Sequence, residues 1–196
     1  MGEKHSKVPE DNYFFFEEQA VVVNDFKASR LILDIGGGGE GIIGQVKGKQ
    51  VVAIDPNRSE LEQAAEGPLK IVMDATSLLF LDKSFEVVTS FFTLMYIKGT
   101  LHEKVFAEVY RVLESNGRFL IWDAHLPQRM AEEKDIVAFY LNVKLPDREI
   151  ETGYGTKWPA QTQGLSHYKE LAEQVGFVTY GQRERGRLFY LELQKR

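Results

Sequence analysis

Five glycines and two acids are placed to grip a ligand. Gly36, Gly37, Gly38 and Gly39 run consecutively, Glu40 follows, and Gly41 comes next, just after an apolar run that ends in Asp34-Ile35. Each glycine loses more conformational freedom on folding than another residue would, so four in a row point to a backbone that something must approach closely. Asp55 stands 21 positions after Asp34, near the ~20-residue spacing at which a carboxylate meets a ribose diol in nucleotide-binding βαβ units. A carboxylate accepts two hydrogen bonds from such a diol and repels a 2′-phosphate. Asp74 closes a third apolar run in the same way, with Ala75 and Thr76 after it.

The elements that must carry these groups are legible as alternating patterns. Strands are expected at residues 31–35, 50–54, 69–73, 85–91 and 118–124, with helices opening after Gly41, at Asn57 with Glu60, and at Thr100 with Glu103. The third of these helices shows Leu101, Val105, Phe106, Val109, Val112 and Leu113 on one face, and Asn116-Gly117 is read as its end. Such alternation is the mark of a parallel sheet covered on both faces, whose ligands sit outside the carboxyl edge of the strands. A last helix capped by Ser166 and closed by Gly176 leads into residues 177–180 and 188–193, expected to pair antiparallel across a solvated tip at residues 183–186.

Two stretches break the pattern. Residues 1–12 are polar and read as flexible, while residues 13–23 are too apolar to stay in water and read as a short helix or helical turn, either a core cover or a lid. Residues 125–165 are too many for a bare loop. A hairpin over 136–145 and 148–158, turning at Pro146-Asp147, is expected there as an insertion over the site. Its Tyr140, Tyr154 and Trp158 are either core or the wall of an apolar acceptor pocket.

Composition narrows the function. The chain has 196 residues, 43% hydrophobic content, a formal charge of -5 and no cysteine, which suits a single cytoplasmic domain spanning 1–196. It offers no basic field for nucleic acid, no membrane span and no thiolate chemistry. The histidines at 5, 102, 125 and 167 lack metal-ligand spacing, so no metal is expected.

The runs LILDIGGGGEG, VVAIDPN, MDATSLLFLDKSFEVVTSFFTLMYI and RVLESNGRFLIWD, in that order over residues 31–124, resemble the class I S-adenosylmethionine-dependent methyltransferases, especially the small-molecule, type 11-like group. The resemblance implies a Rossmann-like α/β fold, a seven-stranded, mostly parallel sheet with an antiparallel last strand and helices on both faces. By the same resemblance Gly36, Gly37 and Gly38 would line the methionine part of the cofactor, Asp55 and Pro56 the ribose, Asp74 and Ala75 the adenine, and Phe91 and Phe92 the backbone wall after the fourth strand. Glu40 departs from the family pattern, standing where its third glycine usually does. The implied reaction is direct in-line methyl transfer to a small-molecule acceptor, with S-adenosylhomocysteine as product.

A sulfonium-bound methyl needs a base only when the acceptor must lose a proton, and Asp123, His125 and His167 are the candidates. Each also reads as an ordinary surface or capping residue. Two other functions remain open. Gly36, Gly38 and Gly41 fit G-x-G-x-x-G, which with Asp55 would serve an NAD-dependent oxidoreductase, and a non-catalytic S-adenosylmethionine or S-adenosylhomocysteine binder would keep the fold without turnover. The acceptor, the accepting atom and the oligomeric state are not encoded in any motif of the chain.

Overall fold

The computed structural model describes residues 12–130 and 134–196; the stretch read as flexible lies outside them, apart from Asn12. In chain order the elements are β1 (Tyr13–Phe15), β2 (Gln19–Val22), β3 (Ile32–Ile35), α1 (Ile42–Lys47), β4 (Val51–Asp55), α2 (Arg58–Gln63), β5 (Leu69–Val72), β6 (Phe85–Phe91), α3 (Gly99–Val112), β7 (Leu113–Ala124), β8 (Ile136–Lys144), β9 (Glu149–Lys157), α4 (Leu165–Val175), β10 (Phe177–Arg185) and β11 (Leu188–Lys195). Seven strands form the main sheet in the order β10-β11-β7-β6-β3-β4-β5. Pairing is parallel from β5 through β7, and β11 runs antiparallel to both of its neighbours. The expected α/β architecture is therefore present.

The burial of each strand explains its place. All four residues of β3 are buried, as the centre of a parallel sheet covered on both faces requires. Alternate residues divide between two apolar clusters: Ile32, Val51, Val87 and Leu120 face α1 and the β8–β9 insertion, whereas Leu33, Val52, Val88 and Phe119 face α3 and α4. On α3 the residues His102, Val105, Phe106, Val109 and Val112 are buried, a helical stripe matching the one read from sequence. Strand order reverses between β4 and β6 on either side of β3, which opens a crevice at the carboxyl edge where such sheets bind ligands.

The segment around residues 13–23 departs from expectation. It forms two strands, not a helix: β1 and β2 pair in parallel with β8, Tyr13 beside Ile136 and Gln19 beside Leu141, while β9 takes the other edge of β8 antiparallel. Aromatic and β-branched residues favour a half-buried pleated surface once an edge is offered, and that edge is more than a hundred residues away in the chain. Phe16, Val21 and Val23 are buried among main-sheet residues, so the segment does cover the core.

Four helix ends also differ in whole or in part. Lys98 and Gly164 precede α3 and α4 with no side-chain cap, so Thr100 and Ser166 lie inside their helices. At Gly164 a Cβ would stand 2.5 Å from His125 Nδ1, so close packing against that ring, not capping chemistry, selects the residue. Asn57 caps α2 as expected, its Oδ1 accepting the Ser59 N–H at 3.0 Å, but its own N–H goes to Asp55 at 2.8 Å and not to Glu60. α3 stops at Val112 and β7 begins at once, leaving Asn116 (φ 64°) as a kink inside the strand. Gly176, at φ 111°, closes α4 in the left-handed form that glycine favours.

Candidate active site

A cleft of about 680 Å³ lies at the crevice beside β3, within the roughly 300–1,000 Å³ span of small-ligand sites. Its floor is the glycine turn, with Gly36, Gly38, Gly39 and Gly41 exposed to it. Asp55, Pro56 and Asn57 after β4, and Asp74, Ala75 and Thr76 after β5, form one wall. Phe91, Phe92, Thr93, Tyr96, Ile97, Lys98 and Leu101 after β6 form another. Of the residues singled out by resemblance, Gly36, Gly38, Asp55, Pro56, Asp74, Ala75, Phe91 and Phe92 thus meet in one hollow.

Gly37 does not line the cleft. A Cβ there would lie 2.8 Å from both Ala53 Cβ and Asp34 Oδ2, so its small size serves packing between β3 and β4. Asp123, His125 and His167 do not line it either. Asp123 is wholly buried behind the 3-10 turn Leu94–Tyr96. His125 Nε2 stands 3.0 Å from Glu184 Oε2 and its ring packs on Phe189. His167 Nε2 stands 3.0 Å from His102 Nδ1, and His102 Nε2 donates to the Leu94 carbonyl at 3.0 Å. That second bond fixes the His102 tautomer, so His167 donates to His102 in a structural tie between α3 and α4. Burial lowers the proton affinity of both rings.

The acids of the cleft are held by backbone and by one hydroxyl. Asp55 Oδ1 accepts the Asn57 N–H at 2.8 Å, and the Gly38 backbone also bonds this carboxylate. Asp74 Oδ1 accepts the Thr76 N–H at 2.7 Å. Of the roughly four acceptor positions on a carboxylate, each acid keeps some for a ligand. Asp34, not singled out from sequence as a site residue, lines the cleft while only 2% exposed. Burial, set against the Thr89 hydroxyl at 2.7 Å, raises its pKa to about 7, and Asp55 adds to the rise. An acid inside the otherwise apolar LILDIG run was the signal for it. Thr93, Tyr96, Lys98 and Leu101 carried no such signal, because a turn between a strand and a helix has no periodicity to read.

The chain bends sharply where it leaves β6. Phe92 has φ 49°, its N–H is taken by the Trp122 carbonyl at 2.8 Å, and it is buried. A bulky residue in the left-handed region is strained by roughly 1–2 kcal/mol, a cost that the surrounding sheet offsets. The bend turns its ring onto Tyr154 of β9, stacked at 5.3 Å. Tyr154 lines the cleft. Tyr140 points away and stacks on Phe15, and Trp158 packs on Phe14 and Phe16. Among the described residues no group of three or more His, Asp or Glu side chains is placed to hold a metal ion.

Asp123 gives a pH prediction. Its Oδ1 accepts the Ala124 N–H at 2.8 Å, while the Leu94 and Met95 backbone bonds reach the carboxyl without satisfying Oδ2. Burial pushes its pKa up to about 7. Raised above its ordinary value, the group favours the folded state fully below about pH 4 and loses that contribution as pH climbs toward 7. Asp123→Asn removes this loss. Its melting temperature relative to the wild type is expected to rise by several degrees between pH 5 and pH 8, on the order of 2 kcal/mol. A difference that stays flat across that range in thermal melts means the carboxylate is ionised in the fold.

The comparisons with known proteins bear on this geometry. Residues 33–121 match a family model described as a methyltransferase domain. A comparison with curated proteins found no matching sequence. Among solved structures, a Pyrococcus horikoshii protein is 20% identical, with 85% of this chain and 82% of that one aligned at TM-score 0.59. An S-adenosylmethionine-dependent methyltransferase from Methanosarcina mazei is 19% identical over 87% and 94%, also at 0.59. Phosphoethanolamine N-methyltransferase 2 of Haemonchus contortus, solved in complex with S-adenosylmethionine, is 17% identical over 87% of this chain and 50% of its own, at 0.63. These identities show the shared fold. The matched stretch runs from β3 into β7, so residues 33–121 carry a methyltransferase domain, set in the Rossmann-like α/β fold that these structures share.

Proposed function

We propose that the cleft holds S-adenosylmethionine between the glycine turn and the two acidic strand ends, and that a small-molecule acceptor enters beside Tyr96 and Tyr154. The observation that carries this reading is the convergence of Asp55 and Asp74 on one cavity with Gly36 and Gly38. Asp55 would accept the ribose hydroxyls and Asp74 the adenine amino group, both being donors. Charge supports the same ligand. Among the described residues five carboxyl groups line the cleft, on Asp34, Glu40, Asp55, Glu60 and Asp74, against one cation, Lys98. A cofactor with a sulfonium and an ammonium suits that field, whereas the diphosphate of NAD would be repelled, so hydride transfer is not favoured.

Gly36, Gly38, Asp55 and Asp74 would hold the cofactor, which would supply an electrophilic methyl group for direct transfer from its sulfonium sulfur to the acceptor. The protein's task is to align the acceptor and exclude water. Phe91, Phe92 and Tyr154 give the apolar side of the cleft, and the insertion at residues 125–165 would cover the acceptor. Among the described residues no histidine lines the cleft, which favours acceptors that react without a histidine base, such as a neutral amine. Small ligands also fit a formal charge of -5, which gives no attraction to nucleic acid. No helix among the described residues is long and apolar enough to cross a membrane, and the cysteine-free composition fits a cytoplasmic setting.

Calorimetry tests the cofactor. S-adenosylhomocysteine is expected to bind with micromolar affinity and NAD not at all; the opposite result overturns the proposal. Transfer of labelled methyl from S-adenosylmethionine across a panel of small amines, hydroxy compounds and thiols then tests turnover. Binding with no product from any of them would favour a non-catalytic binder.

A further inference from the structure

One carboxylate of the cleft is engaged by the insertion and not by its own loop. Glu40 occupies the turn between Gly39 and Gly41, and its two oxygens accept the hydroxyls of Thr152 and, at 3.2 Å, Tyr154. Burial and the Glu40 charge both raise the Tyr154 pKa, so the phenol keeps its proton and acts as donor. Around this contact Gln45 Nε2 donates to the Glu40 carbonyl at 2.5 Å, and Gln45 Oε1 accepts from Arg148 at 2.8 Å. Thr152, Tyr154 and Thr156 share one face of β9 because side chains alternate along a strand. The third of them donates to the Met95 carbonyl at 3.3 Å, in the turn after β6. β9 therefore spans the mouth of the cleft, from the glycine turn to the opposite wall. It does so as an edge strand of the smaller sheet, hydrogen-bonded as a strand, among the described residues, only to β8.

We propose that Glu40 is a positioning residue that clasps β9 to the glycine turn, so that cofactor binding orders the acceptor-side wall and the acceptor binds second. The inference rests on the cofactor reading above for its ligand-dependent half only. A glycine at position 40 could not make the contact, and the side chain there links the loop that would touch the cofactor to the strand that carries Tyr154. Hydrogen bonds to a charged acceptor contribute about 1.5–3 kcal/mol each, so loss of one corresponds to roughly tenfold or more in the opening equilibrium of the strand.

Hydrogen exchange on wild type, Glu40→Ala and Glu40→Gln, with and without saturating S-adenosylhomocysteine, tests the clasp. Without ligand, peptides covering residues 149–157 are expected to exchange about tenfold or more faster in Glu40→Ala. With ligand, the wild type should gain protection both in residues 36–41 and in residues 149–157. Glu40→Ala should gain it only in the first, while retaining S-adenosylhomocysteine affinity within about tenfold. Glu40→Gln should restore protection of the strand, because its amide can accept from Thr152 and donate to Tyr154. Should Glu40→Ala fail to fold, Thr152→Val combined with Tyr154→Phe removes the two donors instead and is expected to give the same pattern.

Equal exchange of residues 149–157 in wild type and Glu40→Ala overturns the clasp. So does complete loss of ligand affinity in Glu40→Ala with the strand still protected, which would make Glu40 a direct cofactor contact. If the wild type itself binds no S-adenosylhomocysteine, the cofactor reading fails, and the ligand-free comparison still decides the clasp.

Discussion

Asp55→Ala is expected to weaken S-adenosylhomocysteine binding by about 100-fold or more, with a melting temperature within a few degrees of the wild type. The Asp55 carboxylate offers roughly four acceptor positions. The N–H groups of Asn57 and Gly38 take two positions, and those left over look into the cleft. Two ribose hydroxyls bonded to a charged acceptor are worth about 3–6 kcal/mol together, and every 1.4 kcal/mol is roughly tenfold in affinity. In the folded protein without ligand the loss is small, because half-buried Asp55 already bears a desolvation cost that raises its pKa. Its removal also relieves one of the causes that raise the Asp34 pKa. Asp55→Asn keeps one acceptor and is expected to fall between the two. Calorimetry on the three proteins checks the order, and an Asp55→Ala protein that binds as the wild type does removes the ribose role.

Where order is local, the chain declares it. β3, β4 and β6 are short apolar runs, each buried on both faces, and their ends are marked by Asp34, Asp55 and the aromatic pair Phe91-Phe92. The hairpin of β8 and β9 was readable because a turn at Pro146-Asp147 separates two stretches rich in aromatic and β-branched residues. β1 and β2 were not, because their type is decided by the free edge of β8, and hydrophobic density alone cannot tell a covered helix from a covered strand. The join of α3 to β7 was misplaced for a related reason. Asn116-Gly117 has the chemistry of a helix stop, yet Lys83 and Ser84 already donate to the Arg111 and Val112 carbonyls, drawing the chain into the sheet five residues earlier.

Site residues divide along the same line. Glycines and acids announce themselves through side-chain chemistry at strand ends, so most of one wall and the floor could be named in advance. In the other wall Phe91 and Phe92 were legible, but Thr93, Tyr96 and Lys98 were not, being placed there by the left-handed bend at Phe92. Asp123 and His125 lie at the carboxyl end of a parallel strand, as a base should, but β7 delivers Asp123 beneath the Leu94–Tyr96 turn and His125 toward Glu184. Position along a strand is legible in sequence. The direction in which the following turn folds is not.

Gly36→Ala is expected to lower stability by about 2–5 kcal/mol and to abolish cofactor binding in whatever fraction stays folded. Two separate effects add. Gly36 has φ 71°, a region that strains an L-residue by roughly 1–2 kcal/mol. A Cβ there would also fall within the contact radius of Thr93 Oγ1 and Cγ2 and 2.8 Å from its Cβ, and overpacking of this kind costs about 1–3 kcal/mol. Thr93 is poorly placed to yield, being branched at Cβ, bonded through its hydroxyl to the Phe91 carbonyl at 3.2 Å and preceded by the strained Phe92. Gly39 separates the two effects, since it has φ 58° but its added Cβ meets nothing nearer than Glu60 Oε2 at 3.4 Å. Gly39→Ala should therefore lose only about 1–2 kcal/mol. Adding Thr93→Gly to Gly36→Ala should recover the overpacking share beyond Thr93→Gly's own effect, and denaturant unfolding of the single and double variants measures that coupling. If Gly36→Ala unfolds within about 0.5 kcal/mol of the wild type, the ordinary range for a harmless substitution, the turn has slack that this close approach to Thr93 denies.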